Sequence, residues 1–221
     1  MPTHPVKVWD LPVRLTHWSF ALLIPAMWYT AENSLWYWHT RMGAALLGLL
    51  VFRIIWGFVG TRTARFAVFV RGPSTILAYL RGDDPGSKRI GHNPLGALAV
   101  LGLIGVMLVQ VGMGLFAGDP YDGATGPLNS LVGVMTADTL TELHEAFFYV
   151  VLALVGLHIV TIAVYAGLKM DDLVSPMVTG KREVDSSVEG IEAMPWGRAA
   201  IALAVSAALA LWVWNGAPPL S

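Results

Sequence analysis

Long apolar runs without charge are the feature that most constrains this chain. Residues 15–31 form such a run of 17 residues, and residues 94–116, 146–168 and 199–221 each form one of 23. Residues 42–61 are interrupted only by Arg53. A helix needs about 20 apolar residues to cross a bilayer, where its backbone must satisfy its own hydrogen bonds. The runs therefore predict an all-α integral membrane protein with five transmembrane helices.

The polar residues between the runs predict where the helices end. We expect transmembrane helices at about residues 12–31, 38–60, 93–117, 139–169 and 196–215. Residues 1–183 would then form a four-helix transmembrane bundle, and residues 184–221 a linker and an additional C-terminal transmembrane helix. Residues 118–129 are expected to be an irregular loop, residues 171–192 a solvated linker, and residues 82–86 a turn.

Basic side chains are distributed unevenly among the loops. Of the fourteen Lys and Arg, twelve fall in the N-terminal tail or in the loops after the second and fourth helices. The loops at residues 32–40 and 117–143 contain neither Lys nor Arg. Because short basic loops stay in the cytoplasm, this asymmetry predicts a cytoplasmic N-terminus and a C-terminus outside. A formal net charge of −1 gives no indication of nucleic-acid binding.

Four of the six histidines fall within the predicted helices, where an imidazole is costly and usually functional. His17 and His158 lie towards the cytoplasmic ends of their helices, and His39 and His144 towards the outer ends. The four residues therefore form two layers. His144 and His158 are about four turns apart, with a residual rotation of ~40° and a rise of ~21 Å, so both rings face the same side.

Two layers of paired imidazoles on facing helices predict two haems, each with two histidine ligands. Electron transfer is then the expected chemistry, because no coordination position remains for oxygen. The chain has no Cys, which excludes iron–sulfur clusters and the attachment of c-type haem. For each histidine taken alone, the alternative is an interhelical hydrogen bond. His144 and Glu145 also begin a zinc motif, but Phe148 stands where its second histidine would be.

Haem propionates need cationic or hydrogen-bonding partners near the membrane faces. Arg41 follows His39 by two residues and is the candidate for the outer haem. The candidates for the inner haem are Arg14, Arg53, Arg62 and Arg65. Their alternative is the ordinary enrichment of basic residues at a cytoplasmic face. Gly43 and Gly156 could let a porphyrin approach the backbone, or could serve close helix packing.

Five motifs occur together between roughly residues 5 and 183. They are VWDLPVRLTHW at 8–18, RIIWGFVG at 53–60 with Arg65-Phe66, GHNPLG at 91–96, His144 with His158, and MVTGKR at 177–182. This combination resembles bacterial cytochrome b561 and the b-type cytochrome subunits of nickel–iron hydrogenases. The resemblance implies two non-covalent haem b groups, ligated by His17 with His158 and by His39 with His144. The fifth helix lies outside the resemblance.

The resemblance also implies a function in the bacterial cytoplasmic (inner) membrane. A di-haem cytochrome of this kind would pass electrons between the quinone pool and a redox partner. Other members anchor a hydrogenase or another oxidoreductase, so whether this chain is a quinone-linked oxidoreductase subunit stays open. A function as a non-redox metal transporter is a further alternative, and the chain could form a homodimer. His92 and Asn93 are the candidate quinone contacts; their alternative is a helix-start turn before Pro94.

Overall fold

Helices make up most of the chain. The structure is a computed structural model that describes residues 3–83, 90–119, 123–168, 171–185 and 188–218. In chain order the elements are β1 (Thr3–Lys7), α1 (Leu11–Glu32), α2 (Trp36–Val59), α3 (Phe66–Phe69), α4 (Pro73–Arg81), α5 (Pro94–Phe116), a 3₁₀ turn (Asn129–Leu131), α6 (Val134–Leu168), α7 (Val174–Thr179), β2 (Lys181–Asp185) and α8 (Trp196–Trp214).

Among the described residues, four helices are long and apolar enough to cross a membrane, namely α2, α5, α6 and α8. With 22 residues α1 also has the length of a span. It contains Arg14, Thr16 and His17 in its first two turns, and its composition is less apolar than that of the other four. The predicted all-α membrane architecture is confirmed, but length and composition alone mark four spans rather than five.

The helix ends agree with the predicted ones to within two residues, apart from the start of α6. This helix begins at Val134, five residues before the predicted position. The hydroxyl groups of Thr139 and Thr141 donate to the carbonyl oxygens of Met135 and Ala137, one turn earlier. The sequence analysis placed the helix start too late because residues 136–142 are largely polar, although they are helical in the structure. The predicted last residue of this helix, 169, lies outside the described residues.

The Cα positions divide the chain into two compact units. Unit 1 comprises Met1–Thr16, Arg53–Gly102 and Gly156–Ala200, and unit 2 comprises His17–Phe52, Leu103–Val155 and Ile201–Ser221.

Unit 1 contains a two-stranded antiparallel sheet, in which Thr3 pairs with Asp185 and Lys7 with Lys181. The expectation of a solvated linker at residues 171–192 was wrong, because this segment contains α7 and β2. The polar composition of residues 171–192 gives no local indication of a strand, because β2 pairs with β1 near the N-terminus. Gly180 adopts φ +80° between α7 and β2, a conformation that favours glycine.

Asp10 is the polar centre of unit 1 and is only 5% exposed. Its Oδ1 accepts a hydrogen bond from the backbone N–H of Val13, which caps the start of α1. Its Oδ2 accepts from Trp56 Nε1 at 2.8 Å and from Thr61 Oγ1 at 2.6 Å. Thr63 donates to the carbonyl of Val8 at 2.6 Å. These bonds join the chain before α1 to the end of α2.

The core of unit 2 is an apolar cluster between helices. Its buried members are Leu46 and Leu50 of α2 and Met107 and Val111 of α5, and side chains of α1 pack against them. A second contact joins α2 to α8, where a Cβ on Gly48 would lie 2.8 Å from the Cβ of Ala210 and 3.2 Å from the carbonyl oxygen of Ser206. Small residues allow such close approach of membrane helices.

The remaining loops contain little regular structure. The basic segment after α2 contains α3 and α4, and α4 ends at Gly82 with φ +82°. Residues 84–89 lie outside the described part, so the expected turn at 82–86 is described only at its start, and Lys88 and Arg89 are not described. In the loop at 118–129, Gly118 and Thr125 form an isolated bridge. Lys169 likewise falls outside the described ranges.

Candidate functional site

Two of the four histidines predicted as ligands meet within unit 2. His39 lies in the first turn of α2, and His144 lies in α6. Their ring centroids are 6.1 Å apart and their planes are nearly perpendicular, at 88°. Two metal–nitrogen bonds of about 2.0 Å each fit between rings at this separation. The pair can therefore share one metal ion, and its role as a ligand pair stays a prediction.

Hydrogen bonds fix the tautomer of both rings. His39 Nδ1 lies 3.0 Å from the carbonyl oxygen of Met27, and His144 Nδ1 lies 2.8 Å from that of Gln110. A carbonyl oxygen only accepts, so each Nδ1 carries the hydrogen and each Nε2 retains its lone pair. Thr30, which is buried, also donates to the Met27 carbonyl, at 2.9 Å. Metal-binding histidines have this arrangement, with one nitrogen donating to a backbone carbonyl and the other available to the metal.

Two residues of α5 that contact His144 were missed by the sequence analysis. Gln110 donates from its amide Nε2 to the backbone carbonyl of His144 at 2.9 Å. Gly114 lies against the imidazole, because a Cβ there would be 2.9 Å from His144 Cε1. A signal was present in the sequence, since Gln110 is the only side chain of α5 with a hydrogen-bonding nitrogen or oxygen.

The other two histidines, His17 and His158, belong to different units. His17 lies in α1 within unit 2 and forms an edge contact with Trp18, at 5.1 Å between ring centroids. His158 lies in α6 within unit 1, and both imidazoles are half-buried. Nothing lies within 4 Å of the position that a Cβ on Gly156 would take. Gly156 is exposed, and it lies on the side of α6 opposite His158 because a step of two residues turns about 200°. The pairing of these two histidines stays a prediction.

The predicted propionate partners Arg41 and Arg53 contact aromatic rings. The guanidinium of Arg41 lies 3.7 Å from the ring centre of Tyr37 and 5.3 Å from that of Trp214, and its buried Nε has no hydrogen-bond partner among the described residues. A step of two residues turns about 200° around a helix, so Arg41 leaves α2 on the side opposite His39. Arg53 is 6% exposed and lies 5.1 Å from the ring centre of Phe66.

The remaining cationic candidates bind other parts of unit 1. Arg14 donates to the carbonyl oxygens of Met177 and Val178. Arg62 donates to the carbonyl oxygens of Glu189 and Gly190, at 2.9 and 3.1 Å. Arg65 forms a partly exposed ion pair with Glu192 at 3.6 Å. These contacts join the polar segments of unit 1. A structural role therefore explains why Arg14 and Arg62 occupy these positions.

The two candidate quinone contacts have different surroundings. The His92 ring lies between Trp9 and Phe69, with centroid distances of 4.5 and 4.6 Å. It also lines a cavity of about 440 Å³ in unit 1, together with Arg62, Arg71 and Phe69. Asn93 caps α5, because its Oδ1 accepts from the backbone of Gly96 at 2.7 Å. Its amide nitrogen donates to the Tyr165 hydroxyl at 3.2 Å.

A conventional zinc-type site is not present in the described part of the chain. Within residues 3–83, 90–119, 123–168, 171–185 and 188–218, no three His, Asp or Glu side chains come together as metal ligands. Phe148 instead packs against Trp28, at 6.0 Å between ring centroids. The donor set that the structure does bring together is a pair of neutral imidazoles, which suits an iron whose remaining ligands come from a porphyrin.

Comparison with known proteins identifies the family. The family model for prokaryotic cytochrome b561 matches residues 8–180, which is most of the chain. The chain belongs to the prokaryotic cytochrome b561 family. A probable Ni/Fe-hydrogenase B-type cytochrome subunit from Azotobacter chroococcum mcd 1 is 30% identical over 213 residues, covering 80% of this chain and 88% of that protein. No solved structure matches the chain.

Membership of the cytochrome b561 family confirms the resemblance predicted from the five motifs. The chain is a bacterial multi-pass membrane b-type cytochrome that transfers electrons, and a b-type cytochrome binds haem b. The cytochrome b561 match ends at residue 180, so α8 lies beyond it, as expected from the motifs.

Proposed function

We propose that this cytochrome b561 holds two haem b groups and passes electrons across the bacterial cytoplasmic membrane, between the quinone pool and a redox partner protein. The observation that carries the proposal is the His39–His144 pair, with centroids 6.1 Å apart and both Nδ1 atoms donating to backbone carbonyls. When bound, haem b supplies a reversible one-electron iron couple. Two histidine ligands on one iron leave no position for oxygen, which favours electron transfer.

The second haem is assigned to His17 and His158. His17 lies in α1, and His158 follows His144 by 14 residues along α6, which is about four turns. This assignment predicts that the two haems are lost independently when their own ligands are replaced.

Among the propionate candidates, Arg53 is supported best. It is buried, and within the described part of the chain its guanidinium makes one long hydrogen bond, to the carbonyl oxygen of Ala64 at 3.4 Å. A guanidinium has five N–H donors, so most of its donors remain available for an anionic group. Arg41 is a weaker candidate because it leaves α2 on the side opposite His39, and Arg14 because it donates to backbone carbonyls of unit 1.

The quinone contact is assigned to His92. The cavity beside it offers an aromatic wall from Phe69 and hydrogen-bonding groups from His92, Thr63 and Arg71. The lining is mixed, because Arg62 and Glu189 also contribute to it beside Val68 and Ile90. Asn93 is the weaker of the two candidates, since its amide already binds Gly96 and Tyr165.

The alternative function is a membrane-anchoring cytochrome b subunit of a hydrogenase or another oxidoreductase. The name of the Azotobacter relative supports it, because that protein is described as a probable hydrogenase subunit. In both versions the basic loops face the cytoplasm and the C-terminus lies in the periplasm. A homodimer is compatible with both, because α8 has exposed apolar residues, among them Ile201 and Leu211, that lipid or a second copy could cover.

The deciding experiment is a reduced-minus-oxidised visible spectrum of the detergent-purified chain, with a pyridine haemochrome count of haem b per chain. We expect two low-spin haems and reduction by a short-chain quinol. A protein without haem would overturn the proposal, and one haem per chain would overturn the second assignment. Two haems without quinol reduction would favour the anchoring subunit, which receives electrons from a bound enzyme.

A further inference from the structure

The helix α5 carries none of the four predicted ligands, yet it holds His144 through two hydrogen bonds. The Nδ1–H of His144 donates to the backbone carbonyl of Gln110 at 2.8 Å. In return, the side-chain amide of Gln110 donates to the backbone carbonyl of His144 at 2.9 Å. The same two residues therefore bind each other in both directions, which fixes α5 against α6 at the level of this imidazole.

The amide of Gln110 also faces the other edge of the ring. Its Nε2 lies 3.4 Å from Nε2 of His144, the nitrogen that retains the lone pair. Its Oε1 is buried and has no hydrogen-bond partner in the part of the chain that the structure describes. A buried acceptor without a partner is uncommon and calls for an explanation. Here the amide presents its N–H groups to His144 and leaves its oxygen unused.

Gly114 provides the space in which the imidazole lies. It follows Gln110 by four residues and so shares the same face of α5. A Cβ at this position would be 2.9 Å from Cε1 and 3.2 Å from Nδ1 of His144, closer than side chains normally approach. The ring reaches the Gln110 carbonyl because residue 114 has no side chain. By contrast, nothing lies within 4 Å of the Cβ position of Gly112.

We propose that Gln110 and Gly114 are positioning residues that set the orientation and the basicity of His144 as a haem ligand. The inference rests on the proposed function, since it requires His144 to bind iron. A histidine that donates its other N–H to a carbonyl is a stronger base and favours ferric iron. Disturbing this bond is therefore expected to raise the midpoint potential of that haem and to weaken its retention.

The test compares Gly114→Ala and Gln110→Met with the matched control Gly112→Ala, all in the full-length protein. His144→Ala identifies which spectral component belongs to this haem. In Gly114→Ala we expect this component to be lost or to titrate at a higher potential. Gln110→Met keeps the backbone carbonyl that His144 binds and removes only the side-chain amide, so the component should persist near its wild-type potential, with haem affinity about 10-fold weaker. The other haem, and both haems of Gly112→Ala, should titrate as in the wild type.

The midpoint potential of the His144-dependent haem distinguishes a positioning role from a general packing role. A residue with only a packing role would change the stability of the protein without shifting the midpoint potential of one haem. If the His144-dependent component keeps its wild-type potential and occupancy in both Gly114→Ala and Gln110→Met, the inference is overturned while the proposed function stands. If both haems of these variants shift together, the inference is overturned as well. A wild-type protein without haem would overturn the proposed function and this inference with it.

Discussion

At the scale of single residues, the pair of imidazoles is the feature with the most direct consequences. His39 and His144 each bind the backbone of a neighbouring helix through Nδ1. Each Nε2 is then left with its lone pair, and that of His144 lies 3.4 Å from the amide nitrogen of Gln110. Such rings are prepared for a metal by the protein itself, so we expect the site to keep its shape when haem is removed.

Replacing His39 or His144 by Ala should remove one haem and leave the other. The expected haem content falls from two per chain to one, because each iron depends on its own pair. Redox titration and a pyridine haemochrome count measure this. His4→Ala in β1 serves as the control and should retain both haems. Loss of both haems from a still-folded His144→Ala protein would contradict independent sites.

The buried carboxylate of Asp10 is expected to stabilise unit 1. In Asp10→Ala the N–H of Trp56 and the hydroxyl of Thr61 would lose their acceptor. Each buried donor without a partner costs about 1–3 kcal/mol, so the free energy of unfolding should fall by several kcal/mol. Thermal unfolding in detergent, followed by circular dichroism, measures the loss. Glu183→Ala, at an exposed position of β2, should unfold like the wild type.

At the scale of elements, α8 from Ile201 onward belongs to unit 2, although it lies beyond the family match. The close approach of α2 and α8 occurs at Gly48, opposite Ser206 and Ala210. Arg41 adds a cation–π contact from α2 to Trp214 at the end of α8, at 5.3 Å. The fifth helix is therefore part of the packed protein and not only a membrane tether.

The contact at Gly48 can be tested with a compensating pair of substitutions. Gly48→Ala should lower the stability by about 1–3 kcal/mol, because its Cβ would lie 2.8 Å from that of Ala210. Adding Ala210→Gly should restore most of the loss. Gly105→Ala in α5 is the control, since nothing lies within 4 Å of its Cβ position. Equal melting temperatures for the wild type and Gly48→Ala would show that the helices do not pack closely here.

At the scale of the whole molecule, the distribution of Lys and Arg predicts the orientation in the membrane. Because the natural chain contains no Cys, single cysteines can be introduced without a reactive background. A membrane-impermeant maleimide should label Asn33→Cys and Gly133→Cys in intact spheroplasts. It should label Ser74→Cys and Glu183→Cys only after lysis. The reverse pattern would invert the proposed topology.

The sequence by itself determined the properties that depend on composition and on the geometry of a single helix. Apolar runs marked the membrane helices, because crossing a bilayer requires a minimum length of apolar residues. The spacing of His144 and His158 placed both on one face of α6, because every α-helix turns about 100° per residue. The five motifs indicated the cytochrome b561 family, which the comparisons confirmed.

Only the tertiary structure decided which distant groups meet. The pairing of β1 with β2 joins the two segments that flank the family match, and a polar stretch of sequence contains no local signal for such a partner. Asp10 caps α1 locally through the N–H of Val13, but its bonds to Trp56 and Thr61 depend on the return of α2. In the sequence, Gln110 and Gly114 are ordinary residues of an apolar helix, and only the packing of α6 against α5 places them beside His144. Contacts between side chains of different helices are set by this packing and not by the period of either helix.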